Sequence, residues 1–95
     1  MPRGNGERIL YVDDEPALAR LGQSVLERLG YSVDAHAKAA EAPGALLRDP
    51  GAFHLVVTNQ MMPELTGTDL ALKIHAIRPG IPIILTTGYT ASLTP

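Results

Sequence analysis

The sequence has 95 residues, with no cysteine, no tryptophan, three tyrosines and one phenylalanine. Without a thiol there can be no disulfide scaffold, thiolate zinc site, iron–sulfur cluster or cysteine nucleophile. The same absence fits a reducing compartment, and a cytoplasmic location is expected. Charge is scarce as well: eight Lys and Arg against ten Asp and Glu leave −2. No basic cluster stands out, so the electrostatic footprint of direct nucleic-acid binding is missing. The longest purely apolar runs are a few residues, far below the roughly 20 needed to span a bilayer. The opening MPRGNGER has no apolar stretch of the kind a signal peptide needs. The glycines form neither a GxGxxG nor a P-loop pattern. What remains is 45% apolar, enough for one domain with one core, since a chain of this size buries about 60–70% of its unfolded surface.

Residues 1–7 are polar and glycine-rich, and read as a flexible leader or linker remnant ahead of a domain spanning 8–95. Ile9-Leu10-Tyr11-Val12 is a short apolar run without polar alternation, the pattern of a strand covered on both faces. It stops at Asp13-Asp14-Glu15-Pro16. Pro16 suits the first turn of a helix, and Asp14 and Glu15 complement its positive end. Leu18, Leu21, Val25 and Leu29 then repeat at helical spacing, widened by Leu26, and Gly30 fits the left-handed position beyond the helix. Tyr31–Ala35 alternates like an edge strand. The alanine-rich stretch from about His36 to Arg48 reads as a helix interrupted by Pro43-Gly44, and Asp49-Pro50-Gly51 as a turn. Phe53–Thr58 is a third strand. Leu70, Ile74 and Ile77 mark a third helix capped by Thr66 or Thr68, and Ile81–Thr87 is a fourth strand.

The order β-α-β-α-β-α-β predicts an α/β fold, a doubly wound parallel sheet with helices on both faces. Such sheets bind ligands beyond the carboxyl ends of their strands, at the topological switch point. That rule selects Asp13 and Asp14 after the first strand, Asn59 after the third and Thr87 after the fourth. Two carboxylates there could form a hard oxygen site suited to Mg²⁺. On their own they could equally do no more than cap the following helix.

ILYVDDEP resembles the start of bacterial two-component receiver domains, the CheY-like family. VVTNQMMPELTG resembles their phosphorylation loop, with Met62-Pro63 and Gly67 in the matching places, and PIILTTG resembles their fourth strand. The resemblance runs from about Arg8 to Thr90. It implies the flavodoxin-like strand order 2-1-3-4-5, of which this chain would supply 2-1-3-4 and lack the fifth strand and last helix. It also implies partners: a histidine kinase or its phosphotransfer domain. The chain would be a stand-alone regulator or the receiver of a hybrid sensor kinase. By the same resemblance Asp13 and Asp14 would be the metal acids, Asp14 the more direct ligand, with the Met61 carbonyl completing the Mg²⁺ site. Thr87 would be the switch hydroxyl, and Gly88 the small neighbour leaving room for the phosphoryl group.

Two departures stand out. The acceptor position, four residues before Pro63, holds Asn59 rather than Asp. A carboxylate oxygen can attack phosphorus; a carboxamide, its lone pair delocalised, is a poor nucleophile. It also removes a negative charge from the site, although its oxygen could still meet a cation weakly. Impaired phosphotransfer and weak Mg²⁺ binding are therefore expected. Thr58 is a poor substitute acceptor. The family's lysine after strand five has no counterpart either, because Lys38 and Lys73 lie elsewhere. An uncovered IPIILTT strand would be a pairing hazard, so homodimerisation or strand exchange through the fourth strand is expected. His36, His54 and His75 are too scattered for a metal triad. Met61 and Met62 read as packing groups, and Tyr89 as packing near the switch face.

Other classes fit less well. Aspartate-nucleophile phosphatases need an Asp-x-Asp spacing, whereas these acids are adjacent. A flavin-binding domain fits the fold class but lacks a Ser/Thr-rich phosphate loop after strand one. A regulatory, non-enzymatic module is the reading, with a phosphorylation-independent interaction domain as its close alternative.

Overall fold

The structure, a computed structural model, describes residues 4–87. Four strands form one parallel sheet in the order β2-β1-β3-β4. They are β1 (Arg8–Val12), β2 (Ser32–His36), β3 (Leu55–Asn59) and β4 (Ile83–Thr86). Helices α1 (Pro16–Arg28), α2 (Ala42–Arg48) and α3 (Gly67–Ile77) alternate with them. The flavodoxin-like order expected from the family resemblance is therefore present, and no fifth strand occurs among the described residues.

Alternation along the strands separates two apolar layers. Leu10, Val12 and Val56 face α2 and α3, where they pack with Leu46, Phe53, Leu70, Ile74 and Ile81. Ile9, Val33 and Val57 face the other way, toward Leu26 of α1. Each fully buried Leu or Ile in the first layer contributes about 1.5–3 kcal/mol by leaving water. That layer anchors the ends of β1 and β3, and so fixes where the polar loops beyond them begin.

Several boundaries differ from the sequence reading. The second strand runs one residue later than Tyr31–Ala35, and His36 is its last residue rather than the start of a helix. After it comes a 3₁₀ turn, Ala39–Glu41, and then α2. Pro43 thus lies in the first turn of α2, where its missing N–H costs no helical hydrogen bond. The expected mid-helix interruption does not arise. The third strand reaches one residue beyond Thr58 and includes Asn59, while the fourth is trimmed to Ile83–Thr86.

Helix α1 departs most from expectation. Its apolar stripe predicts a buried face, yet Ala19 is its one buried residue, and Leu21 and Val25 are 59% and 46% exposed. They border an open apolar groove of about 450 Å³ with Leu18, Tyr11, Val57 and Ile84. The sheet order explains this. α1 sits over β1 and β2 and reaches β3 only at Val57, so among the described residues the same face of β4 lies uncovered beside it. As expected, β4 is an edge among the described strands, with Ile84 and Leu85 exposed.

The segment preceding β1 is engaged with the end of α1. Gly4 N donates to Leu29 O at 2.6 Å and Gly6 N to Gly30 O at 2.9 Å. Gly30 takes φ +96°, the left-handed turn that lets the chain leave α1 and enter β2.

Candidate functional site

Hydrogen bonding to β3 on both sides puts the ends of β1 and β4 next to its own. Asp13 and Asp14 follow β1, Asn59 ends β3 and Thr87 follows β4. All four, with Met61, line one open cleft of about 500 Å³ that also touches Glu15, Ala17 and Leu18. Each described residue picked from the sequence for this site therefore lies at the same cleft. Gly88 and Tyr89 lie outside the described residues.

Asp13 and Asn59 are buried, at 6% and 8% exposure. The Asp13 carboxylate accepts a hydrogen bond from Glu15 N at 3.0 Å, which shapes the turn into α1. Burial raises the Asp13 pKa above the usual carboxylate value; the bond from Glu15 opposes the rise and neighbouring Asp14 adds to it. Asp13 also adds to the raised pKa of Tyr11, whose main cause is burial.

The Asn59 carboxamide is the centre of the arrangement. Its Nδ2 donates to Asp14 Oδ1 and to the Met61 carbonyl, each at 3.2 Å. Its Oδ1 is buried with no hydrogen-bond partner among the described residues. Chemistry fixes which end points inward. Both neighbours are acceptors, so the reversed amide would set three oxygens against one another and forfeit two hydrogen bonds. The unpaired oxygen costs about 1–3 kcal/mol.

The carboxylates and the carbonyl that could meet a divalent cation here are each engaged with an N–H donor. Mg²⁺ takes oxygen ligands in near-octahedral geometry. Here Asp14 Oδ1 and the Met61 carbonyl already accept from an N–H donor, and Asp13 accepts from a backbone N–H. No group of three or more His, Asp or Glu side chains suited to a metal ion occurs among the described residues.

The loop from β3 to α3 is closed by Gln60, a residue that no sequence motif singles out. Its N–H donates to Thr86 O, its carbonyl accepts from Gly67 N, and its Oε1 accepts from both Thr68 N (2.8 Å) and Thr68 Oγ1 (3.0 Å). Nothing in a lone glutamine signals such a clamp before the loop is folded. Of the two candidate caps for α3, Thr66 is the one used: its Oγ1 accepts from Asp69 N at 3.1 Å. Gly67 begins α3 so close to β3 that a Cβ there would lie 2.6 Å from the Asn59 carbonyl oxygen.

The remaining groups are dispersed. Thr58 is fully buried, its hydroxyl donating to Asn59 O. Met62 is buried as expected, whereas the Met61 side chain is 72% exposed and only its carbonyl faces the site. His36 pairs with Glu41, His54 accepts from Arg8 N, and His75 contacts Ile81 O. Each ring thus serves a separate local contact.

Comparison with known proteins places this chain in a family. The family model of the response regulator receiver domain matches residues 9–94. The response regulator receiver protein CpdR of Brucella abortus is 34% identical over 85 residues, covering 90% of this chain and 69% of CpdR. Other curated relatives are much longer; the chain spans 39% and 17% of two transcriptional regulators. Among solved structures, the response regulator TrrA of Thermotoga maritima, in complex with Mg²⁺ and BeF, aligns with a TM-score of 0.78. The two are 32% identical, over 92% of this chain and 74% of TrrA. A complex of the histidine kinase ThkA with TrrA aligns at 0.77 and 31% identity, covering 94% of this chain and 75% of that one. This chain belongs to the response regulator receiver domain family.

Proposed function

We propose that this chain is a receiver module of two-component signalling that recognises a histidine kinase, or its phosphotransfer domain, without itself accepting the phosphoryl group in the ordinary way. The observation that carries this reading is Asn59, buried at the end of β3 where the family resemblance expects the acceptor aspartate. Transfer from phosphohistidine requires a carboxylate oxygen to form the new O–P bond as the N–P bond to the kinase imidazole breaks. A carboxamide oxygen carries no free charge for that attack, and Nδ2 is delocalised and already donates two hydrogen bonds. Thr58 offers no substitute: its hydroxyl is buried and donates to Asn59 O. Signalling then proceeds through protein contact rather than aspartyl phosphate. Weak Mg²⁺ binding belongs to the same reading, with Asp13, Asp14 and the Met61 carbonyl as the available oxygens and Thr87 as the hydroxyl at the mouth of the cleft. The kinase complex of TrrA supports the class of partner. Residence within a hybrid sensor kinase and a cytoplasmic location fit this reading, and no helix among the described residues is long and apolar enough to cross a membrane.

The edge at β4, uncovered among the described residues, offers a second contact. Ile84 on β4 adjoins the exposed Leu21 and Val25 of α1, while Leu85 is exposed on the opposite face, toward Gly67. Pairing of β4 with β4 of a second copy would satisfy the strand's outer edge and cover that patch.

The test is labelling by acetyl phosphate with Mg²⁺, read by mass spectrometry, for this chain beside its Asn59→Asp variant. Labelling is expected only in the variant. A single phosphoryl group at residue 59 of the unmodified chain would overturn the proposal.

A further inference from the structure

We propose that the Asn59 amide takes over the bracing that a cation would otherwise perform, tying the β1 and β3 ends of the site together without metal. This deepens the phosphotransfer-deficient reading above and rests on it. In an all-oxygen site, a carboxylate at residue 59, the Asp14 carboxylate and the Met61 carbonyl would repel one another, and a cation would be needed to hold them in contact. Here one –NH₂ group donates both its protons, one to Asp14 Oδ1 and one to the Met61 carbonyl, each at 3.2 Å. Two acceptors on two different segments are joined by one side chain on a third position. That is the topology of a bridging ion, built from hydrogen bonds.

Two further observations support a brace over an incidental contact. Asn59 is buried, at 8% exposure, and among the described residues its Oδ1 has no hydrogen-bond partner while Nδ2 turns inward. A side chain free to choose would satisfy both ends; this one gives up its acceptor to keep two donor bonds, one of them charge-assisted. The loop it braces is independently clamped by Gln60 to Gly67, Thr68 and Thr86. Met61 is thus pinned by its carbonyl while its side chain projects into solvent. The loop is held in one shape, ready for a protein partner, with no metal requirement.

The brace predicts a distinctive response to Mg²⁺. In nitrogen-15 NMR spectra the two Asn59 side-chain amide protons should exchange slowly with solvent and stay unmoved on addition of millimolar Mg²⁺. Thermal unfolding should show no Mg²⁺-dependent change in Tm for the unmodified chain. Asn59→Asp should lower Tm in EDTA by roughly 4–8 °C and regain it with Mg²⁺. Asn59→Ala should lose a similar amount and regain none. A Tm of the unmodified chain that rises with Mg²⁺ as much as that of Asn59→Asp would overturn the brace. So would Asn59 amide protons that exchange as fast as those of an exposed asparagine, a readout needing no variant to fold. Phosphoryl labelling of the unmodified chain would instead overturn the underlying reading, so the two failures are separable.

Discussion

Replacing Gly67 by alanine tests how tightly the site is built, because the added methyl has nowhere to go. A Cβ at Gly67 would lie 2.6 Å from the Asn59 carbonyl oxygen, 2.9 Å from Gln60 Oε1 and 2.9 Å from Leu85 Cδ2. Ordinary contact begins near 3.4 Å, so the first of these falls about 0.8 Å short and involves backbone that cannot swing aside. Relief requires α3 to back away from β3, stretching the 3.0 Å bond from Gly67 N to Gln60 O. Overpacking of this kind costs about 1–3 kcal/mol, and weakening that hydrogen bond adds about 0.5–1.5 kcal/mol. Against this stands a helix-propensity gain of about 0.5–1 kcal/mol, reduced at a helix start. The net expectation is a loss of about 1–4 kcal/mol. Gly44 supplies the control. It also lies in a helix, α2, but a Cβ there meets nothing within 4 Å, so alanine should stabilise by about 0.4–1 kcal/mol. Urea unfolding at unchanged m reads both as opposite shifts in midpoint. The Asn59 side-chain amide resonances should move in Gly67→Ala and stay fixed in Gly44→Ala. A Gly67→Ala midpoint at or above that of the unmodified chain would refute the reasoning.

Other contacts carry further expectations. Thr66→Ala removes the α3 cap bond to Asp69 N and should cost about 1 kcal/mol in urea unfolding, with Thr66→Ser retaining most of it. Asp13→Asn keeps an oxygen for the Glu15 N–H and removes a buried charge. Because the folded-state pKa of Asp13 is raised, the folded chain holds the proton longer than the unfolded one, and stability contributed by this group declines as pH rises through that window. The variant should therefore show a higher Tm than the unmodified chain at neutral pH in EDTA, with the difference closing toward acid pH. Ile84→Lys, at an exposed position on β4, should change stability by no more than about 0.5 kcal/mol yet shift the elution of concentrated samples toward monomer; unchanged elution of a dimer would remove β4 as the contact.

The layout of this molecule was legible where short-range chemistry agrees with long-range packing. ILYV and LVV are continuous apolar runs because residues on both of their faces pack into one or the other apolar layer, and the acids and Asn59 come next because strand ends carry the polar loops. Pro43 misled for a physical reason. Composition places the proline in an alanine-rich stretch, but His36 pairs into β2 beside Val12, which delays the helix until Pro43 falls in its first turn. The α1 stripe misled for another. Helical periodicity reports which face could be buried, whereas burial needs a neighbour, and above β4 no described element supplies one. Gln60 was invisible because its four partners, Gly67, the backbone and side chain of Thr68, and Thr86, come together only after α3 and β4 are placed.

The same contrast bears on how far family membership carries function. Asparagine and aspartate have nearly the same shape, so replacing one by the other at a position 8% exposed leaves the packing of Val12, Val56 and Leu70 untouched. A fold comparison is blind to the exchange, and alignment with TrrA at a TM-score of 0.78 is what an isosteric substitution permits. Hydrogen-bond polarity at one atom is nevertheless inverted. Where a carboxylate would present a second acceptor to Asp14 and the Met61 carbonyl, Nδ2 presents a donor. On the function proposed above, that exchange would remove a charge and a nucleophile from the site in a single step. Receiver architecture thus resides in two apolar layers that the exchange does not reach, whereas the proposed change in chemistry rests on one side-chain atom, Asn59 Nδ2.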